Sequence, residues 1–459
     1  MAATGTYARF ATDLRVGDVP GEVRRAAALH LLDALGCGLA AVGLEATPFA
    51  GATAEEDGPG AATVLGLAAG APPPSAALAN GILVHALDFD DTHAGSIAHV
   101  SAVVGPAALA AAEEVGASGA ELLAALLVGN EITVRVGLPA GDAFHHRGFH
   151  PTAICGVFGA TAAVGRLRGL DAERIVQALG IAGSMAAGLL AYLSDGASTK
   201  RVHAGWMAHA AHAAVRLAAH GATGPARVLE DRAGVYHAFL GRDDVDPAAA
   251  AATLGEHWET PAIAFKPYPA CHFLHPALDA LAAVLDEHAL AVDDVTGVTV
   301  LAPRAAVDMV CDPVARKRRP TTTYDAKFSA PWSAGALLAD GRVDVSTYVE
   351  ERLADPAILA VADRVDHEER DYATFPASFA AGVRVRTRAG ATHEHHLNHQ
   401  RGGPEWPMPA ADVRAKFATN AATALGVAEA ARLEEAVLAI EDLPDLAPLR
   451  ALGTAAPQI

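Results

Sequence analysis

Val295-Thr-Gly-Val-Thr-Val-Leu301 is the stretch whose reading decides the fold of this 459-residue chain. Five of its seven residues are β-branched. Such side chains are stiff at χ1 and pack well on a pleated surface, so the segment predicts a strand. Downstream, residues 383–388, the Ala389-Gly390 pair and residues 391–397 predict a hairpin. Helices are expected between these strands near 276–287, 333–338 and 345–353, which makes a compact α+β module.

Outward from that module the period is helical on both sides. Residues 20–43 read as a helix with Leu29, Leu32 and Leu35 on one side. Ser75 is placed to cap 76–87 and Ser118 to cap 120–136, while Pro151 suits the first position of a helix reaching about 168. Asp171 caps the next segment, and Thr199 opens a helix through Trp206 and His212 that Gly221 ends. After Pro404, Pro407 and Pro409 the helical period returns, with Asp412 capping 413–425 and a further helix over 429–440. The expected fold is therefore mainly α. A large all-α domain is built from both chain ends (1–263 and 405–459), and a smaller α+β domain occupies 264–404.

Composition narrows the function classes. Apolar residues make up 52% of the chain, enough for a large core and too many for a disordered or fibrous protein. Lys+Arg number 34 against 53 Asp+Glu, a net charge of −19 that repels phosphate backbones and acidic membranes. No nucleic acid and no membrane partner is expected, and the one dense basic run, Arg316-Lys317-Arg318-Arg319, reads as a solvated loop. Residues 175–194 carry no charge and are read as a buried helix of the all-α domain. The four cysteines, Cys37, Cys155, Cys271 and Cys311, have no CxxC or zinc spacing, and Arg9, Asp13, Arg15 and Asp18 precede any apolar run. A cytoplasmic location is expected.

Chemistry concentrates in five segments. His85-Ala-Leu-Asp88-Phe-Asp90-Asp91-Thr92-His93, running on to His99, is the densest polar cluster. It reads either as a solvated helix-end loop or as a functional site. Asp88 and Asp90 also fit the DxDxT pattern of Mg²⁺-dependent phosphohydrolases, which requires the nucleophile to end a parallel strand. His150 stands just before a helix N-terminus, where exposed N–H groups favour an anion and a neutral imidazole able to act as a base. Lysine is scarce, so Lys200 and Lys266 stand out, the latter in Lys266-Pro-Tyr-Pro-Ala-Cys271-His272. Each reads as a snorkelling surface residue or as a fixed cation for a substrate carboxylate. The His393-Glu-His-His-Leu-Asn-His399 tract splits its imidazoles over two faces at period two, and reads as a solvated edge.

Taken together, Ala86-Leu-Asp-Phe-Asp-Asp-Thr92 with His99, Gly148-Phe-His-Pro-Thr152, Asp195-Gly-Ala-Ser-Thr-Lys200, Lys266-Pro-Tyr-Pro-Ala-Cys-His272 and Ala326-Lys-Phe-Ser329 resemble the MmgE/PrpD family. The resemblance spans nearly the whole chain. It implies a homodimer without metal or cofactor, in which the α+β domain is a lid. It implies a cytoplasmic lyase acting on a small di- or tricarboxylate by proton abstraction next to a carboxylate, in the first instance a dehydratase, with epimerisation or decarboxylation as alternatives. Asp88, His99, His150, Lys200 and Lys266 match catalytic positions, and Thr92 a substrate-binding one. Cys271 and His272 stand where the decarboxylases of the family carry a histidine, and Trp332 where they carry a tyrosine. These three are expected as substrate contacts.

Overall fold

The computed structural model describes residues 2–454 except Asp195, Asp243 and Pro376. It divides into two units, one of residues 1–265 with 409–459 and the other of residues 266–408. The divisions fall at Phe265/Lys266 and Met408/Pro409, a few residues beyond the expected 264 and 404.

The first unit is helical throughout, and within it the only β pairing among the described residues is isolated bridges. Its alanine- and glycine-rich helices approach closely. A Cβ on Gly205 would stand 2.2 Å from the Leu78 carbonyl oxygen, and one on Gly81 would stand 2.6 Å from the Gly205 Cα. Glycine is thus what lets the Pro73–His85 and Thr199–Ala219 helices cross backbone to backbone. Gly129 and Gly159 do the same for Gly119–Gly137 and Pro151–Leu167.

Several helix starts lie where the caps put them. Ser118 and Glu121 form a reciprocal capping box, and Asp171 accepts the Arg174 N–H at 2.9 Å. Ser75 does not cap: Pro73 and Pro74 fix φ and start the helix earlier, and the Ser75 hydroxyl donates to Asp57 at 2.6 Å. Asp412 likewise sits inside the first turn of Ala410–Ala421, behind Pro409. The charge-free 175–194 segment is not one buried helix. Ala172–Gly183 ends at Gly183, and Leu189 beyond it is 59% exposed. Among the described residues, Gly21–Gly43 is the one helix long and apolar enough to cross a membrane, and 78% of its apolar window is buried inside the protein.

The second unit is built on a four-stranded sheet. β1 (Val295–Ala302) pairs parallel with β2 (Val365–Glu369) and antiparallel with β3 (Ala381–Thr387), which forms the hairpin with β4 (Thr392–Leu397). Gly390, at φ +84°, makes the hairpin turn. β4 is an edge strand in which no residue is fully buried, the place expected of its histidines. His275–Glu287 packs on β3 and β4, and Ala330–Asp340 completes the core around Val298, Val300, Val383 and Val385. The expected helix at 345–353 is reduced to a single turn, Glu350–Arg352. Asp344 takes the backbone N–H and hydroxyl of Ser346 instead, a local turn that competes with helix. Nor is the basic run a loop. Its first three residues lie in the short helix Val314–Arg318, with Arg319 as the C-cap; Lys317 donates to the Met309 and Phe328 carbonyls and Arg318 to that of Val365.

Candidate active site

In the first unit the Pro73–His85 helix stops at His85, and the chain turns through residues 86–91 before Ser101–Val115 begins. A left-handed residue and three anchoring residues, Lys416, Asp91 and Thr92, fix that turn. Asp88 adopts φ +54°, a left-handed conformation that aspartate tolerates better than most residues. Lys416, buried and ion-paired with Asp33 at 2.7 Å, donates to the Phe89 carbonyl at 2.7 Å. Asp91 takes the Ser101 N–H at 3.0 Å and pairs with His30 at 2.8 Å, so it caps the next helix from a distance. Thr92 exchanges backbone hydrogen bonds with Ala264. Burial pushes the Asp33 carboxyl up to about 6 even against Lys416.

The turn gathers side chains from four places. Lys200 Nζ donates to Asp88 Oδ1 at 2.8 Å. His99 puts Nε2 3.7 Å from the same Asp88 oxygen and Nδ1 3.0 Å from Asp90 Oδ2. His85 Nδ1 lies 2.8 Å from that same Asp90 oxygen. The Thr92 hydroxyl reaches His99 Nδ1 at 3.4 Å, and the Thr152 hydroxyl accepts the His99 N–H at 2.9 Å. His150, at the N-cap of Pro151–Leu167, stacks on His85 with ring centres 5.6 Å apart and meets His203 Nδ1 to Nδ1 at 3.2 Å. Gly188 accepts the His150 N–H, and the Tyr192 ring stands 6.3 Å from that of His150. All five histidines and carboxylates nearest the centre, His85, Asp88, Asp90, His99 and His150, are buried.

Environment divides the imidazoles. Desolvation first, then the neighbouring His85, Lys200, His203 and His99, hold His150 well below the usual histidine range, so it is neutral at neutral pH. Burial, His85 and Lys200 push His203 down to about 4. Asp90 goes the other way. Burial alone would raise it, but the charges and hydrogen bonds of His85 and His99 outweigh that and hold it well below the usual carboxylate range. His99 therefore leans on a carboxylate that favours its charged form, whereas His150 sits among groups that favour its neutral form.

His85, Asp90 and His99 each bring a ligand atom within 4.8 Å of the others, a donor set of two imidazoles and a carboxylate that suits a divalent transition metal. In the protein both Nδ1 atoms already bond Asp90. The phosphohydrolase pattern lacks its scaffold, since Asp88 follows a helix and the sheet belongs to the other unit.

The structure thus brings together Asp88, Thr92, His99, His150 and Lys200. Asp195, which opens the Lys200 motif, lies outside the described residues. Lys266, Cys271, His272 and Trp332 belong to the second unit. Lys266 is 1% exposed. The Cys271 N–H donates to the Lys327 carbonyl at 2.9 Å, and Lys327 Nζ to that of Pro269 at 2.9 Å, which ties the Pro-Tyr-Pro segment down. His272 packs against His275 and Phe379. Trp332 is fully buried in the hydrophobic core of this unit, 5.5 Å from the Tyr348 ring. Sequence reasoning did not single out His85, Asp90 as a partner of two imidazoles, or His203. For His203 a signal was present: it lies three residues after Lys200 and so on the same helix face.

Residues 5–248 match the MmgE/PrpD N-terminal domain and residues 268–442 the MmgE/PrpD C-terminal domain. Among curated relatives, the chain is 26% identical to the cis-aconitate decarboxylase-like protein oryM of Aspergillus oryzae, covering 98% of this chain and 96% of that one. It is 26% identical to the cis-aconitate decarboxylase of Aspergillus terreus, with 97% and 94% covered. It is 29% identical to that of Homo sapiens, with 84% and 81% covered. Matches to both domains, over most of the chain and in the expected order, leave one conclusion: the chain belongs to the MmgE/PrpD family of enzymes.

Proposed function

We propose that the protein is a lyase that removes a proton next to a carboxylate of a small di- or tricarboxylate and expels water, without metal or cofactor. The observation that carries this reading is the pairing of two differently poised imidazoles, His99 against Asp90 and the desolvated His150, with ring centres 6.3 Å apart. Dehydration needs both an acid and a base, and groups whose environments push their protonation apart supply them. His150 takes the α-proton, the C–H electrons form the new double bond, and His99 gives its proton to the departing hydroxyl, so water leaves. Lys200 neutralises a substrate carboxylate and stabilises the enolate-like charge that develops, with Asp88 holding its ammonium in place. Thr92 offers its hydroxyl to a carboxylate oxygen. Lys266 is carried as a cation for a second carboxylate on the resemblance of its segment alone. A homodimer in the cytoplasm, with neither nucleic acid nor membrane as partner, completes the reading.

A second reading, decarboxylation, is favoured by the names of the relatives. It requires an acid to protonate a carbanion but no base, and so leaves His150 without a task. Proton NMR of chelator-treated protein in D2O, with a panel of hydroxylated, unsaturated and amino di- and tricarboxylates, separates the two. Loss or addition of water supports the dehydratase, CO2 release selects the decarboxylase, and deuterium exchange with neither selects an epimerase. Silence across the panel, with phosphatase activity on adding Mg²⁺, overturns the lyase reading.

A further inference from the structure

The Asp90 carboxylate has no place in the proton transfers just described, yet it is fully buried at the centre of the cluster. One oxygen, Oδ2, meets both His85 Nδ1 at 2.8 Å and His99 Nδ1 at 3.0 Å, while Oδ1 has no hydrogen-bond partner among the described residues. An ionised carboxylate only accepts, so both ring nitrogens facing it must be the protonated ones. Its aim is fixed by its neighbours in the chain: Lys416 holds the Phe89 carbonyl before it, and Asp91 after it caps Ser101–Val115. We propose that Asp90 is a positioning residue: shared between His85 and His99, it holds both imidazoles in the Nδ1-protonated form and presents Nε2 of His99 to the substrate. His85 is the balance in this device. Its Nδ1–H takes up part of the carboxylate's charge, and its ring, stacked on His150 and edge-on to His99 at 4.6 Å, keeps both rings in register.

Other charged or titratable groups face the pair from each packed element: Asp88 and Asp91 of the turn, Lys200 and His203 of Thr199–Ala219, His150 of Pro151–Leu167, Cys37 of Gly21–Gly43 and Lys416 of Ala410–Ala421. None of them is altered by the substitutions at Asp90 and His85 that test the proposal, so opposite effects of those substitutions are assigned to Asp90 and His85 themselves.

The proposal rests on the lyase reading for the role of His99, but its test has an arm that does not. In Asp90→Asn the charge that favours protonated His99 is lost. Turnover should fall about 10²-fold or more with KM changed less than about threefold, and the pH limb belonging to His99 should move toward acid by about one unit or more. In His85→Phe the ring is kept but the donor is lost, which leaves Asp90 a stronger partner for His99. That limb should then move toward alkali, and His85→Asn, which restores a donor near the Nδ1 position, should return it. A purely structural role predicts lowered stability in all three variants without opposite displacements, and that outcome overturns the proposal. The independent arm is ¹⁵N NMR of the wild-type imidazoles. Protonated Nδ1 on both His85 and His99 supports the assignment even if no carboxylate on the panel is turned over. A bare Nδ1 on either ring overturns it whatever the variants do.

Discussion

Lys200 and Asp88, separated by 112 positions in the chain, meet Nζ to Oδ1 at 2.8 Å with both side chains buried. The lysine comes from the first turn of Thr199–Ala219 and the aspartate from a left-handed residue just after Pro73–His85, so the pair reports the relative placement of two helices. Removing one partner of a buried pair leaves the other desolvated without its counter-charge. Lys200→Met should therefore lower the unfolding free energy by about 3–5 kcal/mol. Asp88→Asn, which keeps a residue tolerant of positive φ, should restore part of that loss in the double variant, with a coupling of about 1–3 kcal/mol. Urea denaturation of the four proteins measures it, and additive single effects would deny the pair any energetic meaning. On the proposed role of its cation in stabilising the developing charge, turnover of Lys200→Met should fall about 10²-fold or more.

The same placement can be attacked without touching a functional group. A Cβ on Gly205 would stand 2.2 Å from the Leu78 carbonyl oxygen, an approach that only backbone movement relieves. Gly205→Ala should destabilise by about 3 kcal/mol or more despite the better helix propensity of alanine. It should also lower turnover by moving Lys200 against Asp88. A thermal scan with an activity assay on the same sample decides it: raised stability would mean that the two helices can part without cost.

Much of this was legible in the chain, and the exceptions have physical causes. The strand at Val295–Ala302 and the Gly390 hairpin follow from β-branching and turn chemistry, and Ser118 and Asp171 cap as their spacing requires. Ser75 and Asp412 misled because prolines upstream had already set the helix start. The charge-free 175–194 segment misled because absence of charge carries no period, and glycines ended the helix. In the candidate site, Asp88, His99, His150 and Lys200 were singled out by local composition and by resemblance. The double role of Asp90 was not visible, since it depends on a folded turn that brings residues five and nine positions away onto one oxygen. Trp332 sits in a hydrophobic core that no local pattern distinguishes from a pocket wall.

Protonation of buried histidines sets the acid stability. His212, whose Nε2 donates to the Ala107 carbonyl at 3.1 Å, is pushed down to about 3, first by burial. Its unfolded value is near 6.5. As pH falls through 6.5 the unfolded chain binds a proton that the folded protein refuses until about 3, so this group's stability is present above 6.5 and is lost on acidification. Between pH 7 and pH 5 the loss from His212 should be about 2 kcal/mol. His203, pushed down to about 4, adds in the same direction, while Asp33, raised to about 6, opposes it below that pH. Urea midpoints of the wild type and His212→Gln at both pH values give the difference. The variant should lose less on acidification by about that amount, and parallel losses would place the acid sensitivity elsewhere.

Metal ions test the cluster from the opposite side. His85, Asp90 and His99 hold their ligand atoms within 4.8 Å, but each imidazole shows the carboxylate a nitrogen that must lose its proton before it can bind an ion. Chelation with EDTA should therefore leave turnover unchanged. Zn²⁺ added to the chelated enzyme should bind, release protons and lower turnover by taking His99 out of the proton transfer. Where both rings are imidazolium each must release one proton to the ion, so its apparent affinity should climb by up to about 100-fold per pH unit there and level off once the rings are neutral, because a neutral ring can pass its Nδ1 proton to Nε2. Calorimetry at pH 6, 7 and 8 in buffers of different ionisation enthalpy counts the protons, and His85→Phe should weaken binding by removing one ligand. Loss of turnover on chelation alone, regained with added metal, would contradict a metal-independent reaction. Zinc inhibition that persists undiminished in His85→Phe would place the inhibitory ion outside this cluster.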